Sequence, residues 1–223
     1  MIDICVHMMV RNGEDCVKQS LISVLPYVKK VIVCLDSRSS DGTWQILQEL
    51  TQKFSNLIIY PFEVKNPVID LVRMRNFMIA GSLERFCWIV DSDEVYPKSI
   101  IEKLPQYLRH NGVLAYGFKS WTIWDKDRAH GSTSNRPTMR IFRNFKGLEW
   151  VETFGREKLM LGDINLCYDY WLLPYRYIHY TLLKSDDWRQ ELGYVRTVDD
   201  RKLVELPEDI KLIVKDYVEK KSL

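Results

Sequence analysis

The sequence predicts an α/β fold in which a central, mostly parallel sheet is covered by helices on both faces. In the first hundred residues, short apolar runs alternate with segments whose apolar residues recur at helical spacing. The apolar runs are nearly continuous, which is typical of parallel strands buried on both faces. Strands and helices in alternation, joined by right-handed crossovers, then give a doubly wound sheet.

Four strands and the helices between them account for the first half of the chain. The strands are IDICVHMMV, VIVCL, LIIY and FCWIV. The first helix, EDCVKQSLISVL, has acids in its first turn and Pro26 just beyond its end. Trp44, Leu47 and Leu50 mark the second helix, and IDLVRMRNFMIAGSLE is the third. The segment KSIIEKLPQYLRH is predicted as a helix that Pro105 can break.

The pattern changes beyond residue 112 to longer β-like runs, VLAYGFKSWTIW and MRIFRNF. These runs predict a small antiparallel addition to the parallel half. The polar loop between them, DKDRAHGSTSNRP, is expected to be mobile near residues 125–136. The tail LPEDIKLIVKDYVEKKSL predicts an amphipathic helix that packs on the domain or a partner rather than on a membrane. Its apolar residues are Ile210, Ile213, Val214 and Tyr217.

Composition disfavours several classes of protein. Lys plus Arg is 32 and Asp plus Glu is 30, so the net charge of +2 gives no field that would gather nucleic acid. The five cysteines are scattered, which indicates reduced thiols and a cytoplasmic setting rather than zinc or disulfides. The N-terminus lacks the features of a signal peptide, and no window is long enough to span a membrane. We therefore expect a soluble, cytoplasmic protein.

Polar clusters follow three of the predicted strands: RNGED after the first, DSRSSDGT after the second and DSDE after the fourth. Ligands of such sheets bind beyond the carboxyl ends of the strands, so these clusters predict a site. Asp36 ends the second strand, and because the turn does not require an acid there, it is a candidate to bind a base or ribose. Asp41, Gly42 and Thr43 are predicted to be structural, with Thr43 as a helix N-cap.

Asp91 and Asp93 would point to the same side if the strand geometry persisted. Two such carboxylates repel each other unless a cation holds them ionised, and oxygen ligands suit Mg²⁺ or Mn²⁺. The alternative is that one of them caps the helix that begins near Pro97. Glu94 is expected to face the other way and to be structural.

The order of these segments resembles family 2 glycosyltransferases, which have the Rossmann-like GT-A fold. The resemblance covers about residues 2–100. It is carried by the opening strand ending in VRNGED, by CLDSRSSDGT, by RMRNFMIAG and by CWIVDSDEVYP. It is weaker over RIFRNFKGLEWVETFGRE. A length of 223 residues fits one domain, and we expect a single GT-A-like domain over residues 1–223, with a nucleotide-binding half (1–110), an acceptor-side half (111–184) and a C-terminal helical tail (185–223).

The resemblance also implies roles for individual residues. Val10 and Arg11 would line the nucleotide, Asp36 would hold the base, and Asp91 would bind both nucleotide and cation. The cation, Mn²⁺ or Mg²⁺, would be held by Asp91 and Asp93. Two arginines of the third helix, Arg73 and Arg75, would lie near the nucleotide or its diphosphate, or else on a solvated helix face.

Three further groups come from the second half of the chain. His179 is a candidate cation ligand, with a histidine packed among tyrosines as the alternative. Glu152 is the first choice for the general base and Glu157 the second, because WVETFGRE lacks the histidine that precedes the acid in related members. Three tryptophans could stack on a sugar ring, although core packing is the default for each: Trp121, Trp124 and Trp150.

The implied activity is inverting transfer of a sugar from a nucleotide sugar, with UDP as the expected nucleotide, to a hydroxyl acceptor. The acceptor, whether glycan, lipid or protein, and the oligomeric state are left open. One alternative is a non-catalytic module of the same fold that binds nucleotide or glycan. A nucleotidyltransferase is disfavoured, because VRNGED has only one glycine where a Gly-rich phosphate loop is expected.

Overall fold

The computed structural model describes residues 1–123, 126–130, 137–153, 156–180 and 203–221. In chain order, the strands are β1 (Ile2–Val10), β2 (Val28–Asp36), β3 (Leu57–Phe62), β4 (Phe86–Ile89), β5 (Glu94–Val95), β6 (Ala115–Thr122), β7 (Arg128–His130), β8 (Thr138–Arg143), β9 (Leu148–Thr153), β10 (Arg156–Leu161), β11 (Ile164–Asn165), β12 (Trp171–His179) and β13 (Leu203–Glu205). The helices are α1 (Val17–Val24), α2 (Thr43–Lys53), α3 (Pro67–Ala80), α4 (Lys98–Ile101), α5 (Leu104–Leu108) and α6 (Glu208–Lys221).

An eight-stranded sheet forms the centre of the molecule, with the order β3-β2-β1-β4-β8-β6-β12-β5. The first four strands in this order are parallel to one another. Strand β8 runs antiparallel to both β4 and β6, and β12 is parallel to β6. A separate three-stranded antiparallel sheet consists of β9, β10 and β11. The predicted fold class, a mostly parallel sheet with an antiparallel addition, is confirmed.

Helices cover both faces of the parallel half, as the continuous apolar strands predict. Along β1, Ile4, Val6 and Met8 belong to the core that α1 and α2 cover. The intervening Cys5 belongs to a second core that includes Met78 of α3. Because alternate residues of one strand face opposite sides, this division shows that β1 is buried on both faces.

The antiparallel sheet is attached to α3 by the side-chain amide of Asn76. Its Nδ2 atom donates to the backbone carbonyl of Trp150 (2.9 Å), and its Oδ1 atom accepts the Trp150 backbone N–H (2.8 Å). The amide thus takes the place of a neighbouring strand beside β9. This contact helps to hold the β9–β10 hairpin against α3.

Element boundaries differ from the prediction in several places. Helix α1 begins at Val17 rather than at Glu14, so its first turn contains no acid. The Glu14 carboxylate instead accepts the Gly42 backbone N–H. The helix predicted over residues 98–110 is divided into α4 and α5, with Pro105 in the first turn of α5, so the predicted break is confirmed. The polar loop contains the unpredicted strand β7, which pairs with β13. Residues 131–136, and with them most of the segment expected to be mobile, lie outside the described residues.

The predicted C-terminal helix is present as α6. Ile210 and Val214 are buried, and they share a core with Ile178 and Tyr180 at the end of β12. Ile213 packs against this core and is partly buried. The helix therefore packs on the domain, as expected, whereas the side chain of Tyr217 lies outside the described residues.

Candidate functional site

The ends of β1, β2 and β4 meet at one edge of the sheet. Strand β1 lies between the other two, with Val10 opposite Leu35 on one side and His7 opposite Ile89 on the other. The polar segments that follow these strands are therefore brought together, as the strand-end rule predicts.

Direct hydrogen bonds join the first two of these segments. Asn12 has a left-handed backbone conformation (φ 48°), which asparagine tolerates better than most residues, and its Oδ1 atom accepts the Ser40 N–H (2.9 Å). The Gly13 N–H donates to Thr43 Oγ1 (2.7 Å), and the Thr43 N–H donates to Asp41 Oδ1 (3.0 Å). Asp41 and Thr43 are thus structural, as predicted, but Thr43 is the first residue of α2 rather than its N-cap.

Asp36 lies buried at the end of β2 and binds two arginines. Arg38 donates to both of its carboxylate oxygens, with Nε 3.0 Å from Oδ1 and Nη2 2.7 Å from Oδ2. Arg11 lies farther away, with its Nε 4.0 Å from Oδ2. Burial raises the pKa of Asp36, but the hydrogen bonds and charge of Arg38 lower it more, so the pKa lies below its usual value. Val10 is buried beside these residues at the end of β1.

The acidic segment after β4 forms a turn rather than a continuation of the strand. The Glu94 N–H donates to the carbonyl oxygen of Asp91 (3.0 Å), which closes the turn over Ser92 and Asp93. Strand geometry therefore does not persist through Asp93, so the condition for Asp91 and Asp93 to point to the same side is not met. The capping alternative is also not observed, because Pro97 precedes α4 and no side chain caps that helix.

Arg140 of β8 joins two of the acids. Its Nη2 atom contacts Glu94 Oε1 and lies 3.1 Å from Asp91 Oδ2. The side chain of Glu94 is fully buried, and its Oε2 atom accepts the Asp91 backbone N–H (3.2 Å). Glu94 therefore does not face away from Asp91, contrary to expectation. Sequence reasoning missed Arg140, although a charged residue inside the apolar run MRIF was a signal that it has a buried partner.

The surroundings of these acids shift their pKa values in opposite directions. Burial raises the pKa of Asp91, but the positive charges of Arg140 and Arg75 lower it more, so the pKa lies below its usual value. Burial raises the pKa of Glu94 to about 7, against the opposing charge of Arg140. Asp91, with a side chain 39% exposed, is thus the accessible and ionised member of this pair.

Asp93 faces His179 of β12. The His179 Nε2 atom lies 3.5 Å from Asp93 Oδ2, and the Tyr180 N–H donates to the Asp93 carbonyl (2.8 Å). Burial lowers the pKa of His179, but the charge and hydrogen bond of Asp93 raise it more, so the pKa lies above its usual value. Among the described residues, no three His, Cys, Asp or Glu side chains are grouped closely enough to hold a metal ion. Asp93 and His179 converge, whereas Asp91 is turned toward Arg140.

The two arginines of α3 have different surroundings. Arg73 is largely exposed and pairs with Asp70 (2.6 Å), so the alternative of a solvated helix face applies to it. Arg75 is partly buried, donates from Nε to Glu157 Oε2 (2.7 Å) and lies over the ring of Trp150 at 4.7 Å. The positive charge of Arg75 also lowers the pKa of Asp91.

Both candidates for the general base lie on this hairpin. Glu152 and Glu157 are directly opposite each other in the antiparallel pair, so their side chains share one face. Glu157 is held by Arg75, whereas Glu152 is exposed.

The tryptophans proposed to stack on a sugar are placed differently. Trp150 is 4% exposed and belongs to a core cluster, so the default of core packing applies to it. Trp121 is half-buried, and the guanidinium of Arg176 lies 4.6 Å from its ring centre. Trp124 lies outside the described residues.

A groove of about 740 Å³ lies at the opposite end of β4, beside Arg85 and the turn between β8 and β9. Its walls include Asn76, Asn144 and Lys146. The strand-end residues described above do not line this groove.

Comparison with known proteins gives one family match. The model of the family described as glycosyl transferase family 2 matches residues 5–171, well over half of the 223 residues. No curated protein matches the chain. Among the described residues, no helix is both long and apolar enough to cross a membrane.

Three solved structures illustrate the structural similarity. S. aureus TarS, residues 1–349, is 19% identical with a TM-score of 0.48 over 65% of this chain and 47% of that chain. The mannosyltransferase PcManGT from Pyrobaculum calidifontis, in complex with GDP-Man and Mn²⁺, is 16% identical with a TM-score of 0.45 over 53% and 35%. Glucosyl-3-phosphoglycerate synthase from Mycobacterium tuberculosis, in complex with Mn²⁺, UDP and phosphoglyceric acid, is 17% identical with a TM-score of 0.38 over 52% and 42%. The chain spans less than half the length of each of these structures.

Proposed function

We propose that this chain, which belongs to glycosyl transferase family 2, is a glycosyltransferase that transfers a sugar from a nucleoside-diphosphate sugar to a hydroxyl acceptor with inversion. The observation that carries the proposal is the meeting of Asp36 with the acidic turn of Asp91 and Asp93 at one edge of the sheet. This edge is where α/β sheets bind nucleotides. UDP, expected from the family resemblance, is the nucleotide to test first.

The donor-binding residues in this proposal are those at the strand ends. Asp36 accepts hydrogen bonds from the base, with Val10 and Arg11 beside it. Arg75, within electrostatic reach of Asp91, adds positive charge on the diphosphate side. Arg73, which is exposed and paired with Asp70, adds positive charge to the same side from farther away.

By their chemistry, the donors at the acidic turn suit Mn²⁺ or Mg²⁺, although among the described residues no three of them are grouped as ligands. Asp93 and His179 offer a carboxylate oxygen and an imidazole nitrogen 3.5 Å apart, and the Asp91 carboxylate, which lies against Arg140, would have to turn to join them. Asp93 and His179 would hold the cation, and Asp91 would complete the set directly or through water. When bound, the cation supplies Lewis-acid stabilisation of the departing diphosphate.

Proton removal from the acceptor hydroxyl requires a carboxylate near the sugar. We assign this role to Glu152, because its side chain is exposed, whereas that of Glu157 is only partly exposed. Glu157 shares the same face of the hairpin and is the second choice. In this proposal Arg75 and Glu157 hold the hairpin beside the acidic turn, and Glu152 takes the proton.

The test combines binding and turnover. Calorimetry with UDP and Mn²⁺ measures donor-site binding, and release of UDP from UDP-sugars measures activity. We expect Glu152→Gln to keep UDP binding and to lose activity by at least about a hundredfold. Glu149→Gln is the matched control, because Glu149 is an exposed acid of the same strand that points to the opposite face. Absence of both nucleotide binding and turnover with UDP, GDP and dTDP donors would contradict the proposal.

A further inference from the structure

Arg140 is a buried cation inside the acidic turn. The residue is 8% exposed, and its Nη2 atom is shared by Glu94, by Asp91 (3.1 Å) and by the hydroxyl of Tyr177 (3.1 Å). Its Nε atom is also buried and has no hydrogen-bond partner within the described structure. An arginine is always protonated, so a full positive charge lies permanently beside the carboxylates.

Glu94 fixes Asp91 at two points. Its Oε2 atom accepts the Asp91 backbone N–H (3.2 Å) and the Tyr96 hydroxyl (3.2 Å). Its Oε1 atom holds Arg140, which in turn contacts the Asp91 carboxylate. The side chain of Asp91 is therefore oriented by a buried pair, while Asp93, two residues later, is oriented by His179.

Arg140 and a bound divalent cation would therefore compete for the Asp91 carboxylate. A cation held by Asp93 and His179 would draw the Asp91 carboxylate toward itself, whereas Arg140 holds that carboxylate and repels a second positive charge. We propose that Arg140 is a positioning residue that acts as an internal counter-cation, keeping Asp91 from the divalent cation until a nucleoside diphosphate adds its negative charge. The inference rests on the proposed function, since it concerns the same cation site.

The direction of the change in Mn²⁺ affinity on removing Arg140 separates this role from a purely structural one. Removing Arg140 releases Asp91, so the folded variant binds Mn²⁺ more tightly in the absence of nucleotide. A residue that only stabilised the fold would, on removal, leave Mn²⁺ binding unchanged or weaker. The expected effect is a tenfold or larger fall in the dissociation constant for Mn²⁺, about the effect of one nearby unit charge.

The probe is Mn²⁺ alone, titrated into the full chain and followed by the loss of the aqueous Mn²⁺ paramagnetic resonance signal. The variants are Arg140→Met, Arg140→Lys and the double variant Arg140→Met with Glu94→Gln. The double variant is included in case Arg140→Met alone does not fold. It removes both buried charges and so leaves the interior neutral. Arg143→Met is the control, because Arg143 is equally buried on the same strand but donates to the carbonyls of Val113 and His110.

Tighter Mn²⁺ binding by Arg140→Met or the double variant, with Arg140→Lys and Arg143→Met close to the unmodified protein, supports the proposal. Unchanged or weaker binding by the folded variants overturns it, as does an equal gain in Arg143→Met. Failure of the proposed function gives a different result, namely that the unmodified protein binds no UDP with Mn²⁺ present and turns over no nucleotide sugar.

Discussion

His179 Nε2 lies 3.5 Å from Asp93 Oδ2, although the two residues come from distant parts of the chain. Pairing of the short strand β5 with the end of β12 produces this contact, because His179 is opposite Glu94 in the antiparallel register. The Tyr180 N–H extends the pairing to the Asp93 carbonyl. An edge strand of only two residues thus brings the second half of the fold to the acidic turn of the first.

The first prediction concerns this histidine as a cation ligand. His179→Gln removes the imidazole nitrogen but keeps a polar side chain of similar length. We expect the affinity for UDP in the presence of Mn²⁺ to fall about tenfold or more, and the affinity for UDP without metal to change little. Calorimetry under both conditions makes the measurement, with His110→Gln, an exposed histidine at the other end of the sheet, as the control. Equal losses with and without Mn²⁺ would show that His179 acts on the fold rather than on the cation.

The local sequence pattern was sufficient to predict the edge of the sheet at which the candidate site residues lie. The apolar runs identify β1, β2 and β4, and parallel strands bring their carboxyl ends together whatever else the chain does. Asp36 and Asp91 follow directly from that rule. The orientation of the acids does not, because it depends on a turn after Ile89 whose geometry is set by the bond from the Glu94 N–H to the Asp91 carbonyl.

Contacts between distant segments could not be predicted in the same way. Arg140 reaches Glu94 only because β8 is inserted antiparallel between β4 and β6, and no local signal in MRIFRNF specifies that position. Asn76 reaches Trp150 only because the β9–β10 hairpin lies against α3. Such pairs depend on tertiary register, whereas sequence periodicity reports only the face of an element that is buried.

The second prediction concerns the attachment of the hairpin. Asn76→Ala leaves the N–H and the carbonyl of the buried Trp150 without their partner, which costs roughly 1–3 kcal/mol of unfolding free energy. Urea denaturation measures this loss, and hydrogen exchange of the Trp150 amide should become faster. Asn111→Ala, which removes only an exposed bond to Arg85, should change stability by less than about 0.5 kcal/mol. Equal effects of the two substitutions would contradict the proposed attachment.

The third prediction concerns pH. His7 is 2% exposed, its Nε2 atom lies 2.7 Å from Ser82 Oγ, and burial lowers its pKa to about 3. The unfolded chain protonates this residue near pH 6.5, whereas the folded chain does not, so the contribution to stability is complete above pH 6.5 and is lost as pH falls toward 3. The loss is at most about 1.4 kcal/mol per pH unit.

Urea denaturation of the unmodified protein and of His7→Gln between pH 7.5 and 4.5 makes this measurement. The substitution removes the titrating group, so the variant should be less stable at neutral pH but should lose less stability on acidification. A His7→Gln slope equal to that of the unmodified protein would show that His7 is not held neutral by the fold.

The fourth prediction concerns the C-terminal helix as a support for the end of β12. Val214 is fully buried in the core that contains Ile178 and Tyr180, whereas Leu212 on the same helix is 70% exposed. Val214→Asp places an unpaired carboxylate in that core and should lower the unfolding free energy by roughly 3 kcal/mol or detach the helix. Leu212→Asp should change it by less than about 0.5 kcal/mol.

Urea denaturation and hydrogen exchange over α6 distinguish these outcomes. If the helix detaches, exchange accelerates in α6 and at the Tyr180 amide, which donates to Asp93, while the amides of β1 and β2 keep their protection. Because that bond adjoins the contact between His179 and Asp93, the same variant should weaken binding of UDP with Mn²⁺ more than binding of UDP alone. Unchanged exchange at Tyr180 in a variant whose α6 is unprotected would show that β12 holds His179 in place without the helix.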